Sequence, residues 1–287
     1  MAIETKLGSC SPNRTSFKTM NYRQIASEIR KDILRMHARS QSSHVGSALS
    51  CVDILVVLYF NVLKVGRKGL NDKYRDRLIL SKGHAASALY ASLASRHFFP
   101  KKILEGYCVD GGKLPGHVTM KCVPGVEASS GSLGHGLSIG AGMAIAARGQ
   151  THPYRVFVVL GDGECNEGSV WEAAMFAAHH RLDGLTAIID FNGLQAFGKT
   201  GSILNLEPIV AKWESFGWAV REVDGHDCEQ MAEMLNQVPF ERSRPSVVIA
   251  RTLKGKGVSF MEDSLVWHYK SPSKDELRIS LKELDLP

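Results

Sequence analysis

The 287-residue sequence has no long apolar run; the longest, Ile54 to Phe60, falls far short of the roughly 20 residues a membrane-spanning helix needs. The stretch from Met1 to Thr19 is polar and lacks the apolar centre of a secretory signal. Six cysteines, at 10, 51, 108, 122, 165 and 228, form no C-x-x-C pair. Neither a zinc site nor a disulfide framework is indicated, and reduced thiols in a cytoplasm are the better expectation. The formal charge is +6, but the basic residues are scattered and no Lys/Arg block is interleaved with aromatics. That pattern speaks against nucleic acid and is compatible with a phosphorylated ligand. No repeat or low-complexity segment is visible.

What is present is an ordinary globular composition, 44% hydrophobic and 22% charged, in a chain long enough for one large α/β domain or two small ones. Residues 1–19 read as a lead-in. Ile25, Ile29, Ile33 and Met36 recur at helical spacing between Tyr22 and Ala38. Ser50 followed by Asp53 resembles a capping box for a second helix through Ile54, Leu55, Val57 and Leu58. Residues 106–130 are rich in Gly, Pro and Ser and predict an ordered loop, and Gly131–Gly149 reads as a helix of small side chains. Buried strands are predicted at Val156–Leu160, Thr186–Ile189, Trp218–Val223 and Val247–Arg251, with helices over 168–180 and around Gln230–Leu235. The alternation implies an α/β fold, a mostly parallel sheet with helices on both faces. From about Lys270 the charged tail predicts a last surface helix, so the division expected is 1–19, 20–272 and 273–287.

In open α/β sheets ligands bind beyond the carboxyl ends of the strands. Two predicted strands deliver polar groups there, Asp162 in Gly161-Asp162-Gly163 and Asn192 in Asn192-Gly193. The 28 residues between Gly163 and Asn192 suffice for one helix and one strand, which makes the two strands candidates for neighbours. A carboxylate and an amide oxygen, with a backbone carbonyl near Leu194, form a hard oxygen set suited to Mg²⁺ carrying phosphate. Gly163 permits close backbone approach, and the next helix points its positive end at an anion. Asp, Asn and Gly are also ordinary turn residues, so the local pattern alone leaves that reading equally open.

The pair resembles the magnesium signature of the thiamine-diphosphate fold, and further segments resemble transketolase in the same order. These are Ser43-His44-Val45-Gly46-Ser47, with Val45 in place of the usual proline, then Ser81-Lys82-Gly83-His84-Ala85 and Leu114-Pro115-Gly116-His117. Gly131-Ser132-Leu133-Gly134-His135-Gly136 follows, with His135 where glutamine is usual, then Lys254-Gly255-Lys256-Gly257 and Trp267-His268. Val118 and Tyr269 stand where proline and glycine are usual. A single histidine is more often structural than catalytic; four in such motifs, around one Mg-like pair, are a joint signal.

The resemblance implies the diphosphate-binding (PP-type) fold. Asp162, Asn192 and the Leu194 carbonyl would hold Mg²⁺; Gly163, His84, His268 and Lys254 would meet the diphosphate. Ser47, Gly131 and Leu133 would line the thiamine. His44, His84, His117 and His268 would exchange protons with sugar hydroxyls, each well-placed group contributing about 10²–10⁴-fold, while the cofactor supplies the electron sink. Full-length family chains continue into a pyrimidine-binding domain that carries an activating glutamate. This sequence ends at Pro287, so it reads as either a truncation or, as its charged ending favours, one subunit of a split enzyme. That subunit would pair with a second one in a 2+2 assembly. Glu167 would meet the activating glutamate across the interface, although locally it reads equally as a favourable charge at a helix N-terminus. The substrates would be sugar phosphates. Deoxyxylulose-phosphate synthase and 2-oxoacid dehydrogenase components share the magnesium signature and remain alternatives. An NAD-dependent oxidoreductase, suggested by Gly134-x-Gly136-x-x-x-Gly140, lacks the preceding apolar strand.

Overall fold

Apolar runs too continuous for a half-exposed sheet form the centre of a five-stranded parallel one in the computed structural model, which describes residues 21–65 and 71–286. The predicted lead-in, residues 1–19, lies outside the described residues. The strands are β1 (Arg77–Leu80), β2 (Val156–Gly161), β3 (Leu185–Phe191), β4 (Ala219–Asp224) and β5 (Ser246–Arg251), in the order β1-β2-β3-β5-β4. Every pairing is parallel. All five strands therefore end at one edge, and Gly161 stands opposite Asp190.

Side chains alternate across the sheet and feed two cores. Leu78, Leu80, Phe157, Val159, Ile188 and Val248 pack with α1 (Tyr22–Ser40), α2 (Val45–Ser50), α3 (Val52–Val57), α4 (Ala86–Ser95) and α9 (Cys228–Leu235). Ile79, Val158, Leu160, Ala187, Ile189 and Val247 face α5 (His135–Arg148), α6 (Gly168–His179) and α8 (Ile209–Ser215). The short α7 spans Thr200–Ile203, and α10, Lys274–Leu284, packs Leu277 and Leu284 against the first core. Ser273 and Glu276 form a reciprocal capping box at the start of α10.

Three local expectations change. Ser50 and Asp53 do not form a capping box. Ser50 ends α2, and its hydroxyl donates to Asp190 (2.6 Å) and lies 3.0 Å from the Ser47 carbonyl, while Asp53 pairs with Arg30 and His226. Gly131–Gly149 is not helical throughout: Gly131 and Gly134 have φ of 149° and 83°, and the helix begins at His135. Strand β1 and helix α4 were not foreseen, because Arg77–Leu80 offers only a short apolar run and α4 is buried all round, leaving no periodic stripe.

Candidate functional site

The carboxyl edge of the sheet gathers most of the predicted polar residues. Asp162, directly after β2, is 3% exposed. Its carboxylate accepts from the Gly163 amide (2.8 Å), the Gly193 amide (2.8 Å) and the Thr200 hydroxyl (2.9 Å). The turn after β3 thus reaches the turn after β2. Beside it the Asn192 amide oxygen accepts from Leu194 N at 3.1 Å. The carbonyls of Leu194 and Gln195 accept from the Lys254 ammonium at 3.2 and 3.4 Å.

Asp162 has only neutral donors in this set. Burial raises its carboxyl pKa, partly offset by these donors, and neighbouring Asp190 raises it further. A buried carboxylate that forms no ion pair, beside an amide and main-chain carbonyls, has the donor chemistry that Mg²⁺ takes, and the residues fit that ion. Among the described residues, no group of three or more His, Cys, Asp or Glu side chains gathers as a metal site. The set here differs in kind, with a single carboxylate.

Four histidines meet next to this edge. The His44 ring lies 5.3 Å from His84, 5.8 Å from His117 and 5.0 Å from His268, centroid to centroid. Four separate segments supply them. His44 precedes α2 in a left-handed conformation (φ 78°), and its amide donates to the His268 carbonyl at 2.8 Å. Gly83 brings His84 in because a Cβ there would lie 2.6 Å from the Ser130 carbonyl carbon. A Cβ on Gly131 would meet His117 at 3.2 Å, so the segment leading to Leu133 runs beside the cluster. Ser47 lies buried on α2, where its carbonyl accepts from Lys82 at 3.0 Å. Glu167 is exposed at the start of α6, next to Gly134.

Burial, reinforced by His117 and Lys254, lowers the His44 pKa to about 4. Burial and Lys254 lower His268 to about 3, and burial with Lys82 lowers His84 well below its ordinary value. These three imidazoles are neutral near pH 7, able to accept a proton or to donate one from a ring N–H. Lys254 is 1% exposed, and burial, with Lys82 nearby, brings its pKa down to about 8. Its ammonium lies 3.0 Å from His268 Nδ1.

Residues 22–284 match the family described as "Transketolase, thiamine diphosphate binding domain". The chain belongs to the transketolase family. It is 43% identical over 260 residues to an apulose-4-phosphate transketolase subunit of Actinobacillus succinogenes, covering 90% of this chain and 94% of that one. It is 39% identical over 260 residues to the 6-deoxy-6-sulfo-D-fructose transketolase subunit SqwG of a Clostridium species, covering 91% and 94%. Transketolase from Campylobacter jejuni superposes with a TM-score of 0.85 at 29% identity, over 93% of this chain but only 43% of that one. The chain thus matches nearly the full length of relatives named as single subunits, and less than half of the solved transketolase chain. The fold is that of the transketolase thiamine-diphosphate-binding region.

Several residues of this transketolase site escaped the sequence reading. Lys82, 1% exposed, forms an ion pair with Asp190, which is 0% exposed. Asp190 also accepts from Ser50 and Thr252. Burial opposes both charges, but each outweighs that on the other, raising the Lys82 pKa and lowering that of Asp190. Glu164 accepts from Ser81 and from the Gly134 (2.9 Å) and Gly161 (3.1 Å) amides, tying the Gly131–Gly136 loop to the end of β2. The available signal was position: Lys82 lies inside the second histidine motif, and Asp190 is a charge at the end of an apolar strand.

Proposed function

We propose that this chain is the diphosphate- and magnesium-binding subunit of a two-chain transketolase, moving a two-carbon ketol unit from a phosphorylated ketose to an aldose. The observation that carries this is the buried Asp162 carboxylate, hydrogen-bonded only by neutral donors, beside four clustered histidines. Asp162, Asn192 and the Leu194 carbonyl hold Mg²⁺. Gly163, His84, His268 and Lys254 meet the diphosphate, and Ser47, Gly131 and Leu133 line the thiamine. When bound, thiamine diphosphate supplies the electron sink for cleaving the bond next to the ketose carbonyl. The neutral imidazoles of His44, His84 and His268 take and return hydroxyl protons, and His117 hydrogen-bonds the sugar beside them.

The partner supplies the pyrimidine-binding domain and the glutamate that Glu167 meets, in a 2+2 assembly. Support comes from relatives of matching length that are named as one subunit of a transketolase. It comes too from helices α5 and α6, which expose Ile139, Ile145, Met175 and Phe176. No helix among the described residues is long and apolar enough to cross a membrane. Free thiols and a phosphorylated substrate favour the cytoplasm. Residues 20–272 form the cofactor domain, with 273–287 as its extension.

The test is Mg²⁺-dependent thiamine diphosphate binding by the wild-type chain and by Asp162→Ala, with folding followed by circular dichroism. The variant is expected to stay folded and lose Mg²⁺-dependent retention of the cofactor; unchanged affinity would remove Asp162 from the site. Adding the partner and supplying either a ketose phosphate or a 2-oxo acid as donor separates transketolase from the related thiamine enzymes.

A further inference from the structure

Where the chain leaves β5 it enters the site through Thr252, Leu253 and Lys254, and each is held differently. The Thr252 amide donates to the Phe191 carbonyl (3.1 Å), and its hydroxyl donates to Asp190. Lys254 reaches across to Leu194, Gln195 and His268. Between them the Leu253 amide has a side-chain acceptor, Nε2 of His226, at 2.8 Å.

His226 sits in the turn after β4. That turn is clipped to the end of β5 by the Gly225 amide on the Arg251 carbonyl (2.7 Å). The other ring nitrogen, Nδ1, lies 2.6 Å from Asp53 Oδ2. Asp53 is 5% exposed and is gripped at both oxygens by Arg30, at 3.1 and 2.6 Å. Although burial opposes the charge, Arg30 and His226 hold the Asp53 carboxyl down at about 2. An ionised carboxylate only accepts, so it requires a proton on Nδ1; a backbone amide only donates, so it requires a lone pair on Nε2. The two partners together permit one neutral tautomer.

We propose that His226, with its tautomer fixed by Asp53, is a positioning residue: it fixes the Leu253 amide and thereby aims Lys254 at the diphosphate end of the site. Arg30, Asp53, His226 and Leu253 make a continuous line from α1 through α3 to the loop that carries the lysine. An imidazole suits the task because its two nitrogens bridge a carboxylate and an amide with opposite polarity in one rigid ring. This rests on the reading of Lys254 as a diphosphate ligand.

The experiment uses the full chain, assembled with its pyrimidine-binding partner for the cofactor titrations, in three forms, wild type, His226→Leu and His226→Gln, where the glutamine amide offers an oxygen in place of Nε2. Long-range ¹H–¹⁵N spectra of the wild type are expected to show a neutral His226 ring carrying its proton on Nδ1. Hydrogen exchange at the Leu253 amide is expected to speed at least about tenfold in His226→Leu and to recover in His226→Gln. The dissociation constant for thiamine diphosphate with Mg²⁺ is expected to rise about tenfold in His226→Leu and to return to within about threefold of wild type in His226→Gln. A proton on Nε2 would overturn the proposal, as would equal weakening by both substitutions, or wild-type affinity in His226→Leu. If wild type fails to bind thiamine diphosphate while Leu253 exchange still responds, the reading of Lys254 falls and takes the positioning role with it. The exchange and tautomer measurements, which need no cofactor, tell these failures apart, and the wild-type tautomer and the His226→Gln exchange stand even if His226→Leu does not fold.

Discussion

Asp162 and Asp190 close adjacent strands of one sheet, both almost wholly buried, yet their surroundings drive them in opposite directions. Asp190 has Lys82 against it, with Ser50 and Thr252 donating besides, and its pKa is lowered. Asp162 has amides and a hydroxyl, and its pKa is raised. Burial is common to both, so burial alone does not mark a functional carboxylate. The difference lies in whether the fold already supplies the compensating cation. Where it does, the pair is scaffold, tying the Lys82 segment to β3. Where it does not, a carboxylate stays poised for a cation from outside.

The largest effect expected from this contrast is on stability. Lys82→Met leaves Asp190 buried without its cation, which costs about 3–5 kcal/mol in proteins where one partner of a buried pair has been removed. Urea unfolding of the variant should show that loss. Asp162→Ala, which removes a charge that has no ion pair but strands three donors, should lose less than Lys82→Met. Equal losses at the two positions would break the contrast.

Much of this edge was legible in the sequence because its strands are simple. Val156–Leu160 and Thr186–Ile189 are apolar throughout, and each ends in an acid or an amide with glycine, so the parallel topology brings the turns together. The histidines became a cluster only through order and motif, since no local pattern indicates that positions 44, 84, 117 and 268 converge. Asp53 shows why the remainder was hidden. Three residues after a serine and at the start of an apolar helix, it satisfies a local capping rule, but its partners lie 23 and 173 residues away. Strand β1 failed for a related reason: it is too short to show a period, and its identity comes from β2, with which it pairs.

A second difference between the two carboxylates lies in the lysines near them, and it is read by pH. Lys82 is locked in its charged form by Asp190, whereas burial and Lys82 bring Lys254 down to about 8. With Lys254 as the proposed diphosphate ligand, binding would favour the protonated lysine and raise its pKa, so affinity is expected to fall as pH rises through the value of the free chain. Below about 8 the dissociation constant should be flat with respect to this group; above it, it should climb by up to about tenfold per pH unit. Titrations with Mg²⁺ between pH 7 and 9.5 check this, and Lys254→Met should bind weakly with no such bend. A bend that survives in Lys254→Met assigns the proton elsewhere.

The smallest effect is the sharpest comparison, because one residue type donates to each carboxylate. The Thr200 hydroxyl bonds Asp162 and the Thr252 hydroxyl bonds Asp190. Thr200→Val and Thr252→Val keep the shape and delete the donor, and each should lose about 1.5–3 kcal/mol of stability, as for hydrogen bonds to charged groups. Only Thr200→Val should also loosen thiamine diphosphate with Mg²⁺, by about threefold, since its carboxylate is the one an incoming cation must find correctly turned. Thr252→Val should leave that affinity within error, because Lys82 still holds Asp190 in place. If the two valines shift cofactor affinity alike, the carboxylates are not divided between scaffold and site, and the metal is bound by the edge as a whole.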